Sequence, residues 1–209
     1  MEKCNELIRY TINKIINKEK LPTYKIDNDK IIIGDSIEIP IEILYVLNET
    51  NRYKTTYKNQ EHIKLAEREG FIEKETIRIR PSYCGWILLF ITKNVYIEYR
   101  VNTNQIYIRQ ASNNRKLLQI SGRIIFNLEK IMTDPNKEYN DFDVRGKIRE
   151  MGERYDDYKY IFDALKRVGM IHYDGRILQW TPFGFIFWHI LNNRELGYVR
   201  ETNTDYKEN

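Results

Sequence analysis

Hydrophobic residues along this chain change their spacing in a set order, and that order occurs twice. In the downstream stretch Tyr160, Ile161, Ala164, Leu165 and Val168 recur at helical spacing from about Asp156. Gly169 follows, suited to the left-handed position that ends a helix, with Lys166 and Arg167 in the turn before it. Met170 to Tyr173 and Arg176 to Trp180 read as two strands. Asp174-Gly175 between them is a pair that accepts the positive φ of a two-residue hairpin turn. Thr181 supplies a cap and Pro182 a first-turn residue for an apolar helix that Gly184 opens and Asn192-Asn193 closes. Ninety-nine residues upstream the same series runs through Gly70-Phe71-Ile72, Ile77-Arg78-Ile79-Arg80, Ser82 and Gly85 into Trp86 to Ile91 and Lys93-Asn94. A recurring period predicts two copies of one small unit.

The halves upstream of each glycine differ. In the second copy Ile124, Ile125, Leu128 and Ile131 predict a helix that stops before Asp134-Pro135. Val144, Ile148 and Met151 predict the next, capped by Asp141 or Asp143. In the first copy Ile41 to Leu47 reads as one helix and Tyr57 to Arg68 as the helix before Gly70, leaving only Glu49 to Thr56 for a helix between them. Outside the copies, Cys4, Leu7, Ile8, Ile12, Ile15 and Ile16 mark an amphipathic helix over about residues 2 to 18, and a small hairpin follows around Asp27-Asn28-Asp29. Val95 to Gln110 alternates as a hairpin turning at Asn102-Thr103-Asn104. Trp86 to Ile91 also fits a strand by its aromatic and branched residues, and the repeat decides for helix.

Helix, glycine, hairpin, then a Thr-Pro-x-Gly start to an apolar helix resembles the second half of a winged-helix domain. The resemblance covers Gln119 to Asn193, and Ile37 to Asn94 less fully. It implies an α+β fold in which the hairpin is the wing and the helix before the glycine holds the recognition position. The expected organisation is an N-terminal helix and hairpin (1–36), a degenerate winged-helix-like unit (37–94), a linking hairpin (95–118), a fuller unit (119–198) and a polar, frayed tail (199–209). The layout is similar to that of tandem winged-helix plasmid initiators.

Charge separates the two copies. The net charge of +4 is small, but residues 52–80 carry eight Lys and Arg against five Glu, whereas residues 121–193 carry eleven of each sign. Duplex DNA is held first through its phosphates, and a recognition helix presents its N-terminal end to the groove. In the first copy that end holds Arg52, Lys54, Thr55, Thr56, Lys58, Asn59 and Gln60, whose cations, hydroxyls and amides suit phosphates and base edges. Arg78 and Arg80 share one face of the wing and suit phosphate contact. A solvated first turn and arginines kept for solubility are the plainer accounts of the same residues. In the second copy the corresponding end carries Asp156-Asp157, which a phosphate backbone repels. Arg100 and Arg109 with Tyr96, Tyr99 and Tyr107 mix cations and aromatics, a pattern that can stack on bases but is commoner on a half-buried sheet.

No catalytic set is legible. His62, His172 and His189 stand at no metal-ligand spacing, Asp141-Phe142-Asp143 lacks the rest of a calcium loop, and Glu98, Asp141 and Glu150 are scattered acids. Neither a metal nor a cofactor is expected. Two cysteines, Cys4 and Cys84, argue against a disulfide framework, and with no signal-like start or membrane-length apolar run they predict a cytoplasmic protein. The expectation is a non-enzymatic, sequence-specific binder of double-stranded DNA, a transcriptional regulator or a replication or segregation protein of a small replicon. A protein-interaction module on the same scaffold is the alternative. A homodimer is expected to form through Trp86 to Ile91, Phe185 to Leu191 or the N-terminal helix.

Overall fold

Helices and small sheets alternate along the chain, an α+β architecture, in a computed structural model that describes residues 2–17, 20–50, 57–75, 78–134 and 136–202. The side chains of residues 75, 78, 155–157 and 195 lie outside that description. The contacts divide the chain into two units, Met1–Val95 and Tyr96–Asn209.

In the first unit α1 (Glu2–Ile16) buries Cys4, Leu7, Thr11 and Ile15, one helical stripe. This stripe seats α1 on β3 and α4, so the N-terminal helix belongs to the unit and is not an appendage. Strands β1 (Tyr24–Asp27), β2 (Lys30–Ile33) and β3 (Ile37–Pro40) form an antiparallel meander. α2 (Ile41–Thr50) and α3 (Gln60–Arg68) follow, then the hairpin β4 (Ile72–Glu75) and β5 (Arg78–Pro81), then α4 (Tyr83–Ile91). α2 runs on to Thr50, and no described residue forms a helix between it and α3. Residues 86–91 are helical, as the repeat requires, and every residue from Cys84 to Ile91 is buried. α1, α2 and β5 pack on this helix, so it offers a second copy of the chain no open apolar face.

Cys4 and Cys84 form a disulfide, with Cα atoms 5.6 Å apart, which corrects the expectation of two unpaired thiols. Spacing hid it: Cys4 faces inward on α1 and meets the first turn of α4 across a separation of 80 residues. Disulfides persist in oxidising compartments. The cytoplasmic expectation therefore loses the cysteine argument on which it partly stood.

The second unit opens with β6 (Val95–Arg100), β7 (Gln105–Gln110) and β8 (Lys116–Ser121), followed by α5 (Gly122–Ile131). The last strand, β12 (Val199–Thr202), joins this sheet in the order β12-β6-β7-β8 and runs parallel to β6. The hairpin read as a linker is thus the middle of a four-stranded sheet, and residues 199–202 of the expected frayed tail are its edge. Between them lie β9 (Tyr139–Asn140), α6 (Asp141–Glu150), α7 (Tyr155–Arg167), β10 (Ile171–Tyr173), β11 (Ile177–Trp180) and α8 (Pro182–Asn192). Their sheet has the order β10-β11-β9, with Leu178 opposite Tyr139 and Ile171 opposite Trp180. Asn140, not Asp141 or Asp143, caps α6, its side chain accepting from the Phe142 N–H. Asp141 is buried and pairs with Arg145 at 2.8 Å.

The helix–glycine–hairpin joints of the two copies match at the level of single hydrogen bonds, although β9 pairs with β11 while β3 pairs with β2. Phe71 N–H donates to Ala66 O at 2.9 Å, and Met170 N–H donates to Leu165 O at 2.8 Å. Ser82 N–H reaches Phe71 O and Thr181 N–H reaches Met170 O, both at 3.0 Å. The Ser82 hydroxyl bonds Gly70 O and accepts from Gly85 N–H; the Thr181 hydroxyl bonds Gly169 O and accepts from Gly184 N–H. Gly70 and Gly169 hold φ of 82° and 74°, a region open to glycine at no steric cost. β5 (Arg78–Pro81) and β11 (Ile177–Trp180) occupy the same places in the 99-residue period. The element series β3–α2–α3–β4–β5–α4 is repeated as β9–α6–α7–β10–β11–α8, so α2 stands where α6 stands. Of the stretch Glu49 to Thr56 that the sequence leaves for a helix between α2 and α3, residues 51–56 lie outside the described residues.

Candidate nucleic-acid interface

The surface in question is the exposed side of the helix before each glycine and of the hairpin after it. α3 begins where Asn59, at φ −77° and ψ 102°, accepts the Glu61 and His62 N–H groups on its side-chain Oδ1 at 3.0 and 3.3 Å. Capping therefore occupies the Asn59 oxygen that base reading needs. Lys58 and Gln60 flank it and are exposed. The Tyr57 hydroxyl shares a hydrogen bond with His62 Nδ1. Burial, then the Glu42 charge, raises the Tyr57 phenol above its ordinary pKa, so it stays a neutral group tying the entry to α3. Further along, α3 exposes Lys64 and Arg68 beside Glu61 and Glu67, so its described outer face is balanced in charge.

Of the nine residues singled out from sequence, Arg52, Lys54, Thr55 and Thr56 lie outside the described residues, as does the side chain of Arg78. The backbone of Arg78 pairs with Glu75 at the tip of the β4–β5 hairpin. Arg80 is half-exposed and pairs with Glu73 across that hairpin, at 2.8 Å from Nη2 and 2.9 Å from Nε. A phosphate would have to compete with Glu73 for this guanidinium. The structure thus brings Lys58, Asn59 and Gln60 together at one helix start and ties up Arg80.

Sequence reasoning missed the outer face of α7. Helical spacing sets Tyr160 in the apolar stripe, but it is 77% exposed. The buried stripe is Tyr158, Phe162 and Leu165, and Tyr160 lies off it. Lys159, Lys166 and Arg167 are exposed on the same helix, as is Asp163. The hairpin beyond it exposes Arg176 at its tip. There Asp174 does not take the left-handed position expected of it. The register pairs Tyr173 with Leu178, which makes Gly175 (φ 95°) and Arg176 the central residues. Asp174 instead accepts the Arg176 and Ile177 N–H groups, each at 2.8 Å. Those two bonds, the Ile177 one foremost, hold its carboxyl below the ordinary pKa.

Among the described residues no group of three or more His, Cys, Asp and Glu side chains could hold a metal ion. No described helix is long and apolar enough to cross a membrane. No protein-family model, curated protein or solved structure matches the chain.

Proposed function

We propose that the chain binds double-stranded DNA through two tandem winged-helix units, as a transcriptional regulator or as an initiator or segregation protein of a small replicon. The observation that carries this reading is the arrangement of the second copy. Three helices, α5, α6 and α7, precede a hairpin whose second strand, β11, also pairs with the short β9 set between α5 and α6. That order resembles the winged-helix order, and the bond-for-bond repeat of its helix–glycine–hairpin joint supports extending the reading to the first copy.

In the first copy Lys58 and Gln60 stand at the start of α3, directly after Arg52, Lys54, Thr55 and Thr56 in the chain. Cations there would neutralise phosphates while Gln60 and the two threonines meet base edges. Arg78 would add a wing contact, and Arg80 would do so only by leaving Glu73. In the second copy Lys159, Lys166, Arg167 and Arg176 supply cations that offset the acidic start of α7.

The test is fluorescence anisotropy with a random duplex across a salt series. Each phosphate contact contributes about −0.9 to the slope of log K against log salt. Lys54→Glu and Lys58→Glu are each expected to weaken binding strongly and to flatten that slope by about one or more, whereas Asp156→Lys and Asp157→Lys leave binding intact. Equal binding by all four variants would overturn the assignment. The second reading, a non-catalytic interaction module, is favoured by Phe142 and Tyr160, which are 80% and 77% exposed. Salt-independent behaviour with no DNA binding would establish that reading instead.

A further inference from the structure

Strand pleating puts Tyr96, Glu98 and Arg100 of β6 on the face opposite Val95, Ile97 and Tyr99. Register then brings β12 alongside, with Arg200 opposite Glu98 and Thr202 opposite Arg100. From β7 comes Arg109, with Ala111 and Asn114 beyond it. Together these residues line a pocket of about 360 Å³ within the second unit. Small-molecule sites run from roughly 300 to 1,000 Å³.

The charges in this pocket are fixed in place. Glu98 and Arg109, 6% and 5% exposed, are joined by an ion pair. Arg100 Nε lies 2.7 Å from the other Glu98 oxygen. Arg109 also donates to the Asn114 carbonyl at 2.9 Å. The Arg100 guanidinium stands 4.7 Å from the centre of the Tyr107 ring, and that of Arg200 stands 3.9 Å from the centre of the Tyr96 ring. Thr202 Oγ1 lies 3.4 Å from Glu98, and the Tyr96 hydroxyl donates to Asn114 Oδ1. Burial alone would raise the Glu98 carboxyl, but the hydrogen bond from Arg100 and the charges of Arg109 and Arg100 outweigh it and hold the group below its ordinary pKa.

Among the described lining residues there are three guanidiniums and one carboxylate, an excess of two positive charges. A phosphate monoester carries about −1.5 to −2 at neutral pH. Guanidiniums already oriented by Glu98, Tyr96 and Tyr107 lose little freedom on binding, and their forked donors match phosphate oxygens. We propose that the pocket on the β12-β6-β7 face binds the phosphate group of a small organic phosphate of about mononucleotide size. The site uses none of the residues proposed to contact DNA, and it stands or falls without them.

Isothermal titration calorimetry on the full chain tests this, with inorganic phosphate, adenosine 5′-monophosphate and adenosine as probes. Saturable binding is expected for both phosphates and not for adenosine, and a tighter complex for the nucleotide would identify an organic phosphate as the ligand. Arg200→Gln and Arg100→Gln are each expected to weaken binding about tenfold, one charge-assisted contact's worth, while Arg149→Gln at an exposed position of α6 leaves it unchanged. In the native chain the nucleotide is expected to slow hydrogen exchange in β6, β7 and β12, a readout that needs no variant. The proposal is overturned by no saturable binding up to about 10 mM of either phosphate. Equal loss in the Arg149 and Arg200 variants, adenosine binding as well as its monophosphate, or unchanged exchange in those strands would each do the same.

Discussion

Gly184 is the third residue of α8, and a Cβ built there would lie 1.9 Å from the Met170 carbonyl oxygen and 2.9 Å from the Trp180 ring. Ordinary carbon–oxygen contact needs roughly 3.3 Å, so Gly184→Ala must push the helix off the hairpin by more than an ångström. The same Met170 oxygen accepts the Thr181 N–H at 3.0 Å, and that bond stretches with the shift. Overpacking of this kind costs about 1–3 kcal/mol, and a weakened buried hydrogen bond adds roughly 1 kcal/mol. Alanine's higher helix propensity returns about 1 kcal/mol. The net expectation is a loss of about 1–3 kcal/mol. Gly85→Ala in the first copy is expected to behave alike, because its Cβ would lie 2.3 Å from Phe71 O and 2.8 Å from Leu47 Cδ2. Gly146, mid-way along α6, has nothing within 4 Å of the place a methyl group would take, so Gly146→Ala is expected to gain up to about 1 kcal/mol. Urea unfolding followed by tryptophan fluorescence reads all three. Gly184→Ala or Gly85→Ala unfolding at or above the native midpoint would refute the close helix–hairpin approach in that copy.

Reducing the Cys4–Cys84 bond frees a loop of 80 residues, which by chain entropy is expected to cost about 4–5 kcal/mol, read as a lower urea midpoint in dithiothreitol. Two titratable thiols in the denatured, unreduced chain would show that the bond does not form. For Asp174 the folded pKa is depressed, so its contribution is complete above the unfolded carboxylate value and is lost as pH falls through the folded one. Asp174→Ala is therefore expected to be less stable than the native chain at pH 7 and to converge with it only in acid below the depressed folded value, which lies under the ordinary carboxylate value of about 3.9. A gap that persists unchanged in acid would assign the effect to something other than the carboxylate.

The joints are legible in the sequence because they rest on residues with few conformational options. Gly70, Gly169, Ser82, Thr181, Pro182, Gly85 and Gly184 each do locally what their chemistry requires, and the period between the copies decides that residues 86–91 are helical. What escapes notice depends on partners far along the chain. Val199 to Thr202 shows little apolar alternation, yet its backbone completes a sheet through β6. Glu98 reads as a scattered acid until the register of β6 with β7 and β12 sets arginines around it. Cys4 belongs to the apolar stripe that the sequence marks, but only packing narrows that stripe to Cys4, Leu7, Thr11 and Ile15 and sets it against Cys84. The sequence starts the helix before Gly70 at Tyr57, whereas α3 begins at Gln60 behind its Asn59 cap, and the competition of Glu73 for Arg80 follows from hairpin pairing that composition does not disclose.

Because β12 docks beside β6 at the far end of the unit's sequence, the order in which the chain is synthesised matters. From the time β6 leaves the ribosome until residue 202 follows, one edge of its sheet carries unpaired amide and carbonyl groups, a surface that invites strands from other nascent chains. The hairpin and the helix–glycine joint can form as they emerge, since their contacts are local. The parallel closure cannot, and pairings of such long range are intrinsically slow. Expression yield should accordingly respond to substitutions in β12 more than its shallow burial suggests, through what happens to the unfinished chain and not through the stability of the finished one.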